Sequence, residues 1–141
     1  MFRFLAPIAT LAVLTACSSP APSTHFSPVP APPDMHTSRG AVDWAGSYAG
    51  TLPCADCPGI RITLTLKDTG QYELSEQYLD RQPKPQITQG TFRWLPDNGR
   101  IQLSGDNSLW RVGENELTSL SPEGEMPTGS LAKLYVLKRL P

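Results

Sequence analysis

The sequence predicts an all-β fold, a small antiparallel barrel of about eight short strands, and three observations predict it. Apolar side chains recur at every second residue from Asp43 onward. Turn-forming residues punctuate those runs at short intervals, and no ten-residue stretch carries an apolar stripe at helical spacing. Closure into a barrel is expected because it removes the exposed edges that an open meander leaves. With fewer than about 100 residues available, eight strands enclose an interior that side chains mostly fill.

Taken in order, a first strand runs up to Leu52. Ile60, Ile62, Leu64 and Leu66 then share one face of a second strand, with Arg61, Thr63, Thr65 and Lys67 on the other. Asp68-Thr69-Gly70 supplies a hairpin turn, its glycine free to take positive φ. The return strand, Gln71 to Leu79, sets Tyr72, Leu74 and Tyr78 on one side. Thr88 to Leu95 does the same with Gly90, Phe92 and Trp94. Pro96-Asp97-Asn98-Gly99 reads as a tight turn into a strand carrying Ile101 and Leu103. Strands near 108–112, 116–120 and 131–139 complete the set. Trp44, Trp94 and Trp110 are expected in the core, and Glu73 and Glu76 at solvated positions on the strands.

The chain has 141 residues, 12 basic and 13 acidic, with a formal charge of −1. One globular domain is expected at this length. Its Lys and Arg are not clustered enough to neutralise a row of phosphates, which argues against nucleic acid as a partner.

Two further segments precede the domain. Arg3 is followed by an apolar run, Phe4 to Leu14, too short to cross a bilayer, which takes about 20 residues. A basic start, a short apolar stretch and small residues at the exit describe a secretory signal over 1–16. The exit, Leu14-Thr15-Ala16-Cys17, resembles the bacterial lipobox. Signals of that kind are cut before the cysteine. Cys17 would then carry a diacylglycerol on sulfur and a fatty acid such as palmitate on its new amino group, several chains anchoring where one would be marginal. Ser18, not an aspartate, follows the cysteine, which by resemblance to enterobacterial sorting favours the outer membrane, with the domain facing the periplasm. Residues 17–42 hold six prolines between Pro20 and Pro33 and almost no apolar periodicity, so a disordered or polyproline-II tether is expected ahead of a domain at 43–141. His25, Met35 and His36 fall in that tether, as solvated spacers.

With Cys17 lipidated, Cys54 and Cys57 remain, in Leu52-Pro53-Cys54-Ala55-Asp56-Cys57-Pro58-Gly59. Three readings stay open. The pair forms a structural disulfide, which suits an oxidising envelope. Or it is a thiol–disulfide catalyst, against which stand the missing helix N-terminus and the negative charge of Asp56. Or it binds a soft metal: two thiolates suit Cu(I), whereas structural zinc asks for four ligands and no second Cys/His pair is at hand. Met126 is a further sulfur of interest. The domain holds no histidine, so a Ser–His or Cys–His nucleophile cannot be built within it.

The stretch Tyr48-x-Gly50-x-Leu52-Pro53-Cys54-Ala55-Asp56-Cys57-Pro58-Gly59-Ile60 resembles the start of the N-terminal domain of the NlpE family. The likeness continues through Leu64-x-Leu66, Gly70-x-Tyr72, Gly90-x-Phe92-x-Trp94, Leu117-x-x-Leu120 and Tyr135-Val136-Leu137-Lys138. It implies a lipocalin-like barrel tethered to the outer membrane, with Cys54 and Cys57 as a metal- or redox-responsive pair. It also implies a non-enzymatic role in copper resistance and in signalling envelope stress to an inner-membrane sensor kinase. Ending at Pro141, the chain is expected to lack the family's second, OB-like domain. The competing expectation is a periplasmic barrel that binds a small ligand or inhibits an enzyme, its cysteine pair being only a disulfide.

Overall fold

The structure, a computed structural model, describes residues 37–141; Cys17, the signal segment and most of the tether, with His25, Met35 and His36, lie outside the described residues. Eight strands follow in chain order: β1 Gly46–Leu52, β2 Ile60–Leu66, β3 Gln71–Tyr78, β4 Gln86–Trp94, β5 Arg100–Leu103, β6 Leu109–Gly113, β7 Glu116–Ser119 and β8 Val136–Arg139. Each pairs antiparallel with the next, and β8 returns to β1, closing the sheet into the expected up-and-down barrel.

The two-residue period decides which side chains face inward. Ile62, Leu64 and Leu66 of β2 are buried, while Thr63 and Thr65 between them are half-buried and Arg61 is exposed. The register Leu64↔Leu74 and Leu66↔Tyr72 lays the next buried row beside them. Phe92, Ile101, Leu103, Trp110, Val112, Leu117 and Leu137 continue the row around the barrel to Tyr48, so side chains fill the interior. Burying one such side chain is worth about 1.5–3 kcal/mol, which makes this ring the dominant source of stability.

Turn chemistry sets the reversals. Lys67 and Gln71 bracket the first hairpin, and Gly70 takes φ 83° in its third loop position. Among the described residues the four non-glycine positions with positive φ are Asp80, Asn98, Asn107 and Asn115, one in each of the next four reversals, and Asn and Asp are the side chains that tolerate this region. Gly90 has a different reason. It stands opposite Tyr72, and a Cβ there would lie 2.9 Å from Tyr72 Cε1 and 2.7 Å from Ser104 Oγ. The bare backbone lets the Tyr72 ring lie close, and its hydroxyl accepts a hydrogen bond from Gly105 N at 3.1 Å.

Three expectations need correction. The last strand does not begin at 131: Ala132–Tyr135 form a 3₁₀ turn, and β8 starts at Val136. Leu131 and Leu134 are three residues apart, a spacing that suits one helical turn and not a pleat, and both remain exposed. At the other end, Ser38–Ala41 form a single helical turn and Val42 packs on the core, so these residues of the segment expected as tether belong with the domain. Finally, Glu76 is not a solvated surface group. It shares its face with Tyr72 and Leu74, lies between Ile62 on β2 and Gln86 on β4, and is only half exposed. Burial, with the nearby negative charge of Asp106, pushes its carboxyl above the usual range.

Trp110 is buried as expected, its indole N–H donating to Ser108 Oγ at 3.1 Å. Trp44 and Trp94 are half-buried and meet Phe92 edge-on, with ring centroids 5.5–6.4 Å apart, at the barrel end where β1 begins. Closure at that end uses a backbone bond, Leu140 N to Ser47 O at 2.8 Å, and one side chain. The β1–β8 seam has only the pairs Tyr48↔Arg139 and Ala49↔Lys138. Arg139 extends it by donating to the backbone carbonyls of Asp43 and of Ala45, the latter at 2.7 Å, while its ion pair with the exposed Asp43 carboxylate spans 3.2 Å.

Arg139→Met loses charge-assisted bonds to two carbonyls and should cost about 2–3 kcal/mol in urea unfolding. Asp43→Asn, which removes only the exposed pair, should cost less than about 1 kcal/mol. A carboxyl whose folded pKa is raised costs stability once it ionises, and that cost vanishes below its unfolded pKa. Glu76→Gln should therefore raise the melting temperature at pH 7, and the gain should shrink as pH falls through the carboxylate range.

Candidate metal and redox site

The connection between β1 and β2, residues 53–59, carries Cys54 and Cys57 through bends with no helical turn, so no helix N-terminus faces either sulfur. The two cysteines are joined as a disulfide with Cα atoms 5.3 Å apart, a separation within the bridging range. Both are half-buried, whereas Ala55, Asp56 and Pro58 are exposed, so the pair lies at the rim and open to reagents.

The base of the loop is held by backbone contact. Gly59 is buried, and a Cβ there would meet Thr51 Cγ2 at 2.5 Å, so only glycine allows β2 to start this close to the end of β1. Gly59 O accepts from Leu79 N at 3.0 Å, which joins the loop to the β3–β4 turn. That turn delivers Arg81. Its guanidinium lies 2.9 Å from Asp56 Oδ2 and donates to the Asp56 carbonyl at 2.8 Å. The other carboxylate oxygen, Oδ1, is 3.6 Å from Cys54 Sγ, and Cys57 Sγ is 3.4 Å from Gly59 O.

One donor atom each from Cys54, Asp56 and Cys57 falls within 4.8 Å of the others. Once reduced, the set offers two thiolates and one carboxylate oxygen. Two thiolates alone match Cu(I), which accepts low coordination and prefers sulfur. Structural zinc would need four ligands, one more than this cluster supplies. Met126 stands on the β7–β8 connection, at the same barrel end as the cysteine loop. It lines an open hollow of about 530 Å³ with Leu120, Leu131 and Tyr135.

From sequence, Asp56 figured only as a negative charge beside the sulfurs; the structure makes it a donor in the same cluster. Arg81 was missed, being 25 residues from Asp56. The signal was available in the hairpin register, because the pairing Ile60↔Tyr78 continued a few residues outward brings Asp56 level with Arg81 and Gln82.

Comparison with known proteins agrees with this architecture. The Lipoprotein NlpE of Escherichia coli (strain K12) is 32% identical over 81 residues, 55% of this chain and 34% of that protein, so the chain spans about a third of that relative. The 17 kDa lipoprotein of Treponema pallidum (strain Nichols) is 32% identical over 108 residues, covering 67% of this chain and 69% of that one. A crystal structure of a lipoprotein from Shewanella oneidensis superposes with a TM-score of 0.69 at 44% identity, over 74% of this chain and 95% of that chain. The family profile described as NlpE N-terminal domain matches residues 48–130, which include the cysteine loop and seven of the eight strands, and the chain belongs to that family.

Proposed function

We propose that this chain is a non-enzymatic envelope lipoprotein of copper resistance and stress sensing, with the Cys54–Cys57 loop as its metal- or redox-responsive site. The observation that carries the reading is the placement of two half-buried sulfurs and a carboxylate within 4.8 Å of one another on an accessible rim. Family membership and the lipoprotein relatives support anchoring through Cys17 after removal of residues 1–16. Residues 17–42 then serve mainly as spacer, and the barrel of 43–141 faces the periplasm from the outer membrane. An inner-membrane sensor kinase or another periplasmic protein is the partner in this reading.

The chemistry is a switch between two covalent states. Two electrons and two protons, delivered by a dithiol reductant through exchange, break the Cys54–Cys57 bond and give two thiols. A bound Cu(I) would be held by the two deprotonated sulfurs, each thiol releasing its proton as the ion enters. Asp56 sets a negative charge beside the sulfurs, and the Arg81 guanidinium pairs with it at 2.9 Å.

Opening the bond should be inexpensive. A loop this small constrains the unfolded chain by roughly 2 kcal/mol, so reduction should lower the free energy of urea unfolding by that amount and leave the barrel folded. Titration of Cu(I) against a competing chelator, using the reduced, detergent-solubilised full chain, should show tight one-to-one binding that Cys54→Ser/Cys57→Ser abolishes. Equal weak binding by both proteins would overturn the metal site. The pair would then be a structural disulfide in a barrel that binds a small ligand or inhibits an envelope enzyme.

A further inference from the structure

Asp56 is the member of the cluster with two competing uses. Its Oδ1 lies 3.6 Å from Cys54 Sγ, near enough to join a metal seated on the sulfurs, while Oδ2 is held 2.9 Å from the Arg81 guanidinium. The same Arg81 nitrogen also grips the Asp56 carbonyl at 2.8 Å, so the residue is held at both its backbone and its side chain. Arg81 is placed by backbone bonds: Arg81 N and Gln82 N both donate to Tyr78 O, at 3.2 and 2.9 Å, around Asp80 at φ 62°. The neighbouring Leu79 N is bonded to Gly59 O, so the arginine and the cysteine loop share one rigid base.

Metals differ in how much they need that carboxylate. A soft monovalent ion is satisfied by two thiolates in a low-coordinate site. Zn(II) takes four ligands and accepts carboxylate oxygen, so a site restricted to two sulfurs serves it poorly.

Resting on the metal-site reading above, we propose that Arg81 sets the metal preference of the reduced pair. By pairing with Oδ2 it neutralises the carboxylate and weakens Oδ1 as a third ligand beside the sulfurs, which favours a soft monovalent cation over Zn(II). Arg81 touches no metal in this scheme; it acts by positioning Asp56.

A double-mutant cycle tests it, because removing a positive charge strengthens cation binding through space whether or not Asp56 is freed. Zn(II) and Cu(I) affinities would be measured on the reduced full chain, as wild type, Arg81→Met, Asp56→Asn and the double variant. Arg81→Met should strengthen Zn(II) binding about fivefold, the factor that an exposed ion pair can hold. In the Asp56→Asn background the same substitution should change Zn(II) binding by less than about twofold. For Cu(I), Arg81→Met should have the same small effect in both backgrounds. No Zn(II) gain in Arg81→Met, or a gain that persists without the carboxylate, would overturn the proposal, as would a Cu(I) gain dependent on Asp56. Failure of the copper reading shows elsewhere, as equal Cu(I) binding by wild type and Cys54→Ser/Cys57→Ser, so the two failures are distinguishable.

Discussion

Closure of β8 onto β1 is the constraint on which the rest of the structure depends. Every other strand pair joins neighbours in sequence, most of them through a short turn that holds the partners together at little entropic cost. The seam joins the two ends of the barrel sequence through only two residue pairs, and without it both strands would present open edges. Arg139 compensates for that brevity by reaching past the seam to the carbonyls of Asp43 and Ala45. Tyr48, fully buried on β1, donates its hydroxyl to Trp44 O at 2.8 Å and fixes the same incoming segment from inside. Burial holds that phenol above its usual pKa, consistent with a protonated donor. Since β1 ends at Leu52, the seam that positions β1 also positions the start of the cysteine loop.

The magnitudes separate the parts that hold the fold from the parts that can change. The ring of buried side chains contributes about 1.5–3 kcal/mol per residue. The disulfide contributes roughly 2 kcal/mol in all, and the exposed Arg81–Asp56 pair less than about 1 kcal/mol. A loop whose bonds are this weak beside the core can alter its covalent state without carrying the barrel with it. Such independence is what the proposed responsive site requires, and it arises because the loop lies at the rim instead of packing into the interior.

Much of this was legible in the sequence where one physical rule acted alone. The alternation through Ile60–Leu66 and the glycine of Asp68-Thr69-Gly70 set a strand and a turn, and the structure keeps both. Legibility failed where two rules competed. In Leu131–Tyr135 the apolar residues fit a pleat loosely and a single helical turn better, so a strand expected from 131 begins at Val136. Glu76 obeys the alternation and should have been placed inside; the usual preference of carboxylates for solvent outweighed the period in the reading and lost to it in the fold. The cysteine motif itself was plain, but its control by Arg81 was not, because that contact exists only once the hairpin register carries a residue 25 positions away to the rim.

The filled interior narrows where function can reside. A carrier of small molecules needs an enclosed cavity of about 300–1,000 Å³. Here Tyr48, Leu64, Leu66, Ile101, Leu103, Leu117 and Leu137 occupy that space, all essentially inaccessible. One mouth is further covered by Trp44, Phe92 and Trp94. An open hollow of about 530 Å³ lies against the long β7–β8 connection. Chemistry is thereby displaced to the opposite mouth, where the cysteine loop, the β3–β4 turn and the β7–β8 connection all open. There a half-buried disulfide, a carboxylate and a guanidinium meet on a solvent-exposed rim. That distribution favours a rim that changes its own state over a barrel that carries a passenger.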